Sequence, residues 1–140
     1  MSDLKETAIK AGNFKTLIQA VEATKLDEDI LTKPGIYTIF APTDEAFAQL
    51  PEGTLKALLQ DTHKLKRIVA YHIVFGDVRS DDLAQIDEAP TVEGSVLAID
   101  SADGKVKVND ANVLKTDILA DNGVIHVIDA VLIPTLVAAN

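Results

Sequence analysis

Cysteine is absent from the 140-residue chain. Its absence excludes a disulfide framework, a thiolate metal site and a cysteine nucleophile together, and it leaves the redox compartment open. No apolar run reaches the roughly 18 residues that a membrane-spanning helix requires, so no membrane insertion is expected. Met1-Ser2-Asp3-Leu4-Lys5-Glu6 is charged where a secretory leader would be apolar. The chain is therefore expected either in the cytoplasm or as the product of leader removal. Positive charge is scarce, with 13 basic residues against 22 acidic ones and a formal net charge of −9. Such a body repels nucleic acid and anionic membranes unless a local basic patch defeats the background, and it opposes self-association, so a monomer is expected. The best basic group, Lys64, Lys66 and Arg67, has no interleaved aromatic residue and reads as a solvated helix face. Catalytic signatures are missing too. There is no G-x-S-x-G elbow, and the seven glycines stand singly instead of forming a phosphate-cradling loop. Asp100, Asp103 and Gly104 approach a calcium loop, but with Gly104 in sixth place Ile99 would have to be the first ligand.

What is present describes one folded domain over residues 1–140, with 47% hydrophobic and 25% charged residues. The first half reads as helices. Asn13 stands as an N-cap before Phe14, Leu17, Ile18 and Val21, whose spacing makes an apolar stripe. Gly12 closes a weaker helix that carries Leu4, Ala8 and Ile9. A helical turn is expected after Asp27 and stops at Pro34-Gly35. Ile36 to Phe40 is a β-branched and aromatic strand that Pro42 ends. Thr43 then caps a helix burying Ala46, Phe47 and Leu50, with Asp44 and Glu45 beside its positive dipole end. Pro51 and Gly53 break that helix, and Thr54 starts another bearing Leu55, Leu58 and Leu59. Leu65, Ile68, Val69 and His72 form the stripe of a further helix, and Ser80-Asp81-Asp82 opens a short one over Leu83 and Ile86. From Thr91 onward the signals are strands. The Asp103-Gly104 turn separates Val96–Ile99 from the alternating Lys105–Val108. Asn122-Gly123 precedes Val124–Ile128, a run apolar enough to be covered on both faces. Helices toward one end and strands toward the other indicate an α+β domain.

The histidines separate by context. His63 lies among polar residues at a helix start and is expected on the surface. His72 and His126 lie among apolar residues and read as buried neutral imidazoles bonded to backbone or hydroxyl groups; a joint metal site would lack a nearby third ligand. Neither metal nor cofactor is expected. Asp27-Glu28-Asp29 and Asp81-Asp82 read as charges at helix starts, and no carboxylate pair stands out as catalytic.

Thr38-Ile39-Phe40-Ala41-Pro42-Thr43-Asp44-Glu45-Ala46-Phe47 closely resembles the first signature box of the fasciclin domain family. Asn122-Gly123-Val124-Ile125-His126-Val127-Ile128-Asp129, continuing to Pro134, resembles the second, and Tyr71-His72 resembles the tyrosine–histidine segment between them. The likeness spans nearly the whole chain. It implies a wedge of strands packed against a helical group, and a non-enzymatic adhesion or interaction module found outside the cell, in the periplasm or at the cell surface. The implied partner is a protein or polysaccharide of a cell surface or matrix. By the same resemblance Asp117-Ile118 and Tyr71-His72 match positions implicated in partner binding. Among the box residues Thr38, Phe40, Ala41, Pro42, Thr43, Asp44, Phe47, Asn122, Gly123, His126, Asp129 and Pro134 are expected to be mainly structural. Tyr71 reads as half-buried with a wet hydroxyl, and Asp117→Ala is expected to weaken binding with little effect on stability. The alternative is a small-molecule or polysaccharide binding protein with its cleft between wedge and helices.

Overall fold

In a computed structural model, residues 3–26, 36–50, 53–102, 105–109 and 111–132 are described. The expected turn after Asp27, the Pro34-Gly35 stop, Pro51, the Asp103-Gly104 turn and Pro134 lie outside the described residues. Helix α1 (Leu4–Ala11) is capped by Asp3, whose carboxylate accepts from the Glu6 amide, and it ends at Gly12 in the left-handed conformation. It buries Leu4 and Ala8, whereas Ile9 is 51% exposed, one position beyond the buried stripe. Helix α2 (Lys15–Thr24) buries Leu17, Ala20, Val21 and Thr24. The expected Asn13 cap is corrected: Phe14 takes the N-cap position, with no side-chain bond.

Strand β1 (Tyr37–Pro42) leaves Ile36 outside it and 55% exposed. The helices α3 (Asp44–Ala48), α4 (Thr54–Gln60) and α5 (Thr62–Ala70) follow, with Thr43 capping the first and Asp61 the last through the Ala46 and Lys64 amides. Then come β2 (Ile73–Phe75), α6 (Ser80–Leu83), β3 (Glu88–Pro90), β4 (Val96–Ala102), β5 (Lys105–Val108), β6 (Ala111–Ala120) and β7 (Gly123–Ile128).

The seven strands form one sheet in the order β2-β1-β7-β6-β5-β4-β3. β7 pairs with β1 in parallel and with β6 antiparallel, so the expected run covered on both faces becomes a central strand. Its residues Val124 to Ile128 are all buried. The sheet curls until its two ends meet, where Val74 bridges Thr91 and the Val92 amide donates to the Ile73 carbonyl over 2.8 Å. The curl gives the sheet two interiors. One face, with Ile39, Ile73, Ile125 and Val127, packs on α1, α2 and α5. The other encloses Phe40, Val74, Leu83, Leu97, Ile99, Val108 and Ile128 within the wedge of strands.

Candidate functional site

Thr38 of the first box, His126 of the second and Asp117 just upstream of it converge on a short chain segment laid across the wedge-side face of the central strands. Gly76, at φ 91°, turns the chain out of β2. From there residues 76–80 cross β1, β7 and β6, and each strand holds the segment with one side chain. Thr38 on β1 is fully buried; its hydroxyl donates to the Gly76 carbonyl over 2.7 Å and accepts from the Val78 amide over 2.8 Å. His126 on β7 reaches the Val78 carbonyl over 2.7 Å. Asp117 on β6 accepts from the Ser80 amide over 2.9 Å and from the Ser80 hydroxyl. The segment, which we term the strap, thus carries the chain into α6.

The His126 ring closes this network. Its Nδ1 accepts from the Asp117 amide over 3.3 Å, so Nε2 carries the proton donated to Val78. Burial pushes its pKa below the ordinary histidine value, against the opposing pull of the Val78 carbonyl and the Asp117 and Asp77 carboxylates. Its ring also stacks on Phe40, centroids 5.5 Å apart.

His72 uses the opposite tautomer. Nδ1 donates to the Ile68 carbonyl over 2.7 Å, and Nε2 accepts from the Leu132 amide over 2.9 Å, tying α5 to the tail of the second box. Burial lowers its pKa to about 4, so both imidazoles are neutral at pH 7, each with both ring nitrogens engaged by backbone groups. Tyr71 is 6% exposed instead of half-buried. Its hydroxyl donates to the Val96 carbonyl and accepts from the Asn109 amide group, bracing the wedge. Of the positions matched to partner binding, Tyr71 and His72 thus lie inside the molecule, Asp117 is exposed and Ile118 is half-buried against the helix-side core.

Asp117 itself takes φ 58°, and β6 shifts register on either side of Lys115. A left-handed backbone there turns the carboxylate toward Ser80. Burial alone would raise its pKa, but the Ser80 hydroxyl and amide, with His126 and Arg79 nearby, hold it below the usual carboxylate range. Asp117→Ala would therefore remove one of the three side chains that hold the strap, which argues for a lowered thermal midpoint beside any loss of binding.

The remaining box residues act in the same way on other segments. Asp44 accepts from the Thr16 amide over 2.8 Å and so caps α2 from across the fold, while its own amide donates to the Asn13 carbonyl. Asn122 accepts from the Leu4 amide at the start of α1 over 2.8 Å. Asp129 grips Asn112 through its amide and side chain, at 2.8 and 2.9 Å. Gly123 is required by close approach, since a Cβ there would lie 1.8 Å from the Tyr37 carbonyl oxygen.

Beside Asp117 and Ile118, two leucines on β6 face solvent, Leu114 at 58% and Leu119 at 41%. Sequence reasoning missed them. The signal available was Leu114, Ile118 and Leu119, which fit no single alternating face. Leu114 borders an open groove of about 510 Å³ where β6 parts from β5, lined also by Lys105, Val106, Val113 and Thr116. By contrast, the crevice between the helices and the sheet has room for about 20 Å³, one water. Among the described residues no group of three or more His, Asp or Glu is placed to hold a metal ion, and no helix is long and apolar enough to cross a membrane.

The profile of the fasciclin domain matches residues 12–134. The chain is 46% identical over 133 residues to protein sll1735 of Synechocystis sp., covering 95% of this chain and 98% of that one. It is 36% identical over 127 residues to transforming growth factor-beta-induced protein ig-h3 of Sus scrofa, covering 90% of this chain but 18% of that larger protein. Its fold is similar to the solved FAS1 domain pair of the insect cell adhesion molecule fasciclin I, with a TM-score of 0.65 at 24% identity, over 90% of this chain and 47% of that one. With the two boxes docked on each other as neighbouring strands and the profile spanning both, this chain belongs to the fasciclin domain family.

Proposed function

We propose that the chain is a non-enzymatic adhesion module that binds a protein or polysaccharide of a cell surface or matrix through the exposed residues of β6. Fasciclin domains are typically adhesion or protein-interaction modules. The observation that carries the placement is the pair of solvent-facing leucines, Leu114 and Leu119, flanking Asp117 and Ile118 on one strand. Large apolar side chains exposed beside a fixed carboxylate supply an apolar anchor and a polar contact together. The strap holds that carboxylate in one position, so less conformational freedom is lost on contact. Tyr71 and His72 serve this surface from inside, by fixing the wedge and the tail of the second box. Such a module works outside the cell, in the periplasm or at the cell surface, as a monomer.

Beads coated with the chain and mixed with cells report adhesion directly. The double variant Leu114→Glu/Leu119→Glu, with the parent's circular dichroism spectrum and thermal midpoint, is expected to abolish bead–cell adhesion. Undiminished adhesion would move the contact surface off β6.

A further inference from the structure

The tightest cluster of basic residues in the chain has no part in the adhesion reading. Between Asp61 and Asp77 no carboxylate occurs, while Lys64, Lys66 and Arg67 do. The last two stand with His63 on the exposed side of α5, around an open groove of about 380 Å³. The floor of this groove is apolar: Leu26 and Ala70 are buried at its base, and half-buried Val92 forms one wall.

Among the described residues one carboxylate lines the groove, that of Glu93, and it is already committed. Its side chain is 6% exposed and accepts from the Ser95 amide over 3.2 Å and from Arg67 Nη2 over 3.4 Å. The Ser95 contacts, ahead of Arg67, hold its pKa down against the opposing effect of burial. Glu93 therefore neutralises one cation and orients the Arg67 guanidinium. Lys66 has no ion-pair partner among the described residues. A site with an exposed ammonium, an oriented guanidinium and an apolar floor complements one kind of occupant, an anionic head on an apolar tail. The net charge of −9 works against an extended polyanion but costs a single carboxylate little, and the volume is that of a small-molecule site.

We propose that the α5 groove binds a small amphipathic monocarboxylate, its head on Lys66 and Arg67 and its tail on Leu26, Ala70 and Val92. This site is separate from β6 and independent of the adhesion reading.

Octanoate is the probe, followed by amide chemical shifts of the isotope-labelled chain, with octanamide and inorganic phosphate as controls. Octanoate is expected to shift the amides of residues 63–70 and 92–93 saturably, and added salt should weaken it. Octanamide and phosphate should each bind at least about tenfold more weakly, because each lacks half of the match. Lys66→Glu, at an exposed position that leaves the Arg67–Glu93 pair intact, should weaken octanoate about tenfold. The parallel variant Lys105→Glu at the β5–β6 groove should leave it unchanged. No saturable shift, shifts centred elsewhere, equal binding of phosphate or octanamide, or an unchanged affinity in Lys66→Glu would each overturn the proposal.

Discussion

The central strands β1 and β7 meet different partners on their two faces. Toward the helices, Ile39, Ile125 and Val127 pack against Leu4, Leu17, Val21 and Val69, a contact of methyl groups that no single atom controls. Toward the wedge, Thr38 and His126, with Asp117 from neighbouring β6, hold the strap through hydrogen bonds between named atoms. The first face draws its stability from area, which changes gradually with side-chain size. The second depends on groups that, once buried, cost the full desolvation penalty when a partner is removed. Polar point contacts are therefore the more brittle of the two, although they occupy less of the interior.

The largest expected effect comes where the faces share a backbone. Gly123→Ala drives a methyl into the Tyr37 carbonyl and should cost about 3 kcal/mol or more, measured by urea unfolding. A loss under about 1 kcal/mol would mean that β1 and β7 can part without breaking either face.

Acid tests the buried polar contacts of both faces next. His72 has a folded pKa of about 4 against 6.5 ordinarily, so between those values the unfolded chain takes up a proton that the folded one does not. Its contribution is complete above pH 6.5, declines as the pH falls and is exhausted near pH 4, amounting to about 3 kcal/mol. His126 is shifted in the same direction and adds to the slope. Asp117, held low, loses its contribution only at more acid pH. Thermal midpoints from pH 7 to 4.5 should fall steadily, and His72→Gln should be less stable at pH 7 yet show a shallower fall. An equal slope in the variant would remove His72 from this account.

Thr38→Val conserves shape and leaves the Val78 amide and the Gly76 carbonyl without their partner, for about 2 kcal/mol. Ile39→Val, one residue along on the opposite face, should cost about 1 kcal/mol. A reversed order would refute the contrast between point contacts and area. An effect of similar size belongs to Asp44→Ala, about 1 kcal/mol through the lost cap on α2, and Thr16 amide exchange should report it.

The parts of this fold written in local spacing were legible. The stripe of α5, Thr43 capping the helix that follows it, the left-handed Gly12 and the covered run at β7 each depend on residues a few positions apart. The misreadings share a physical cause. Asn13 has the chemistry of a cap, but the oxygen that serves α2 belongs to Asp44, 28 residues beyond Thr16. Asp117 is exposed, as its sequence context suggests, but its bond to Ser80, 37 residues away, leaves no mark in local spacing. Ile9 and Ile36 have the right hydropathy but fall one position outside their buried stripe or strand. For the site, the resemblance drew attention to Asp117 and Ile118, whereas the exposure of Leu114 and Leu119 was not legible in a strand whose register shifts break the alternation that spacing assumes.

The parallel pairing of β1 with β7 also bears on how the chain is made. β1 leaves the ribosome long before β7, the strand that completes its hydrogen bonding, because five strands and four helices are synthesised between them. Until that strand is synthesised, the apolar residues of β1 lack their neighbour, and the helices packed on them have an incomplete floor. Non-local pairing of this kind is slow to form and leaves nascent chains prone to aggregate. Folding of this domain should therefore be completed only after β7 has been synthesised, and chains truncated before Gly123 should be insoluble or degraded.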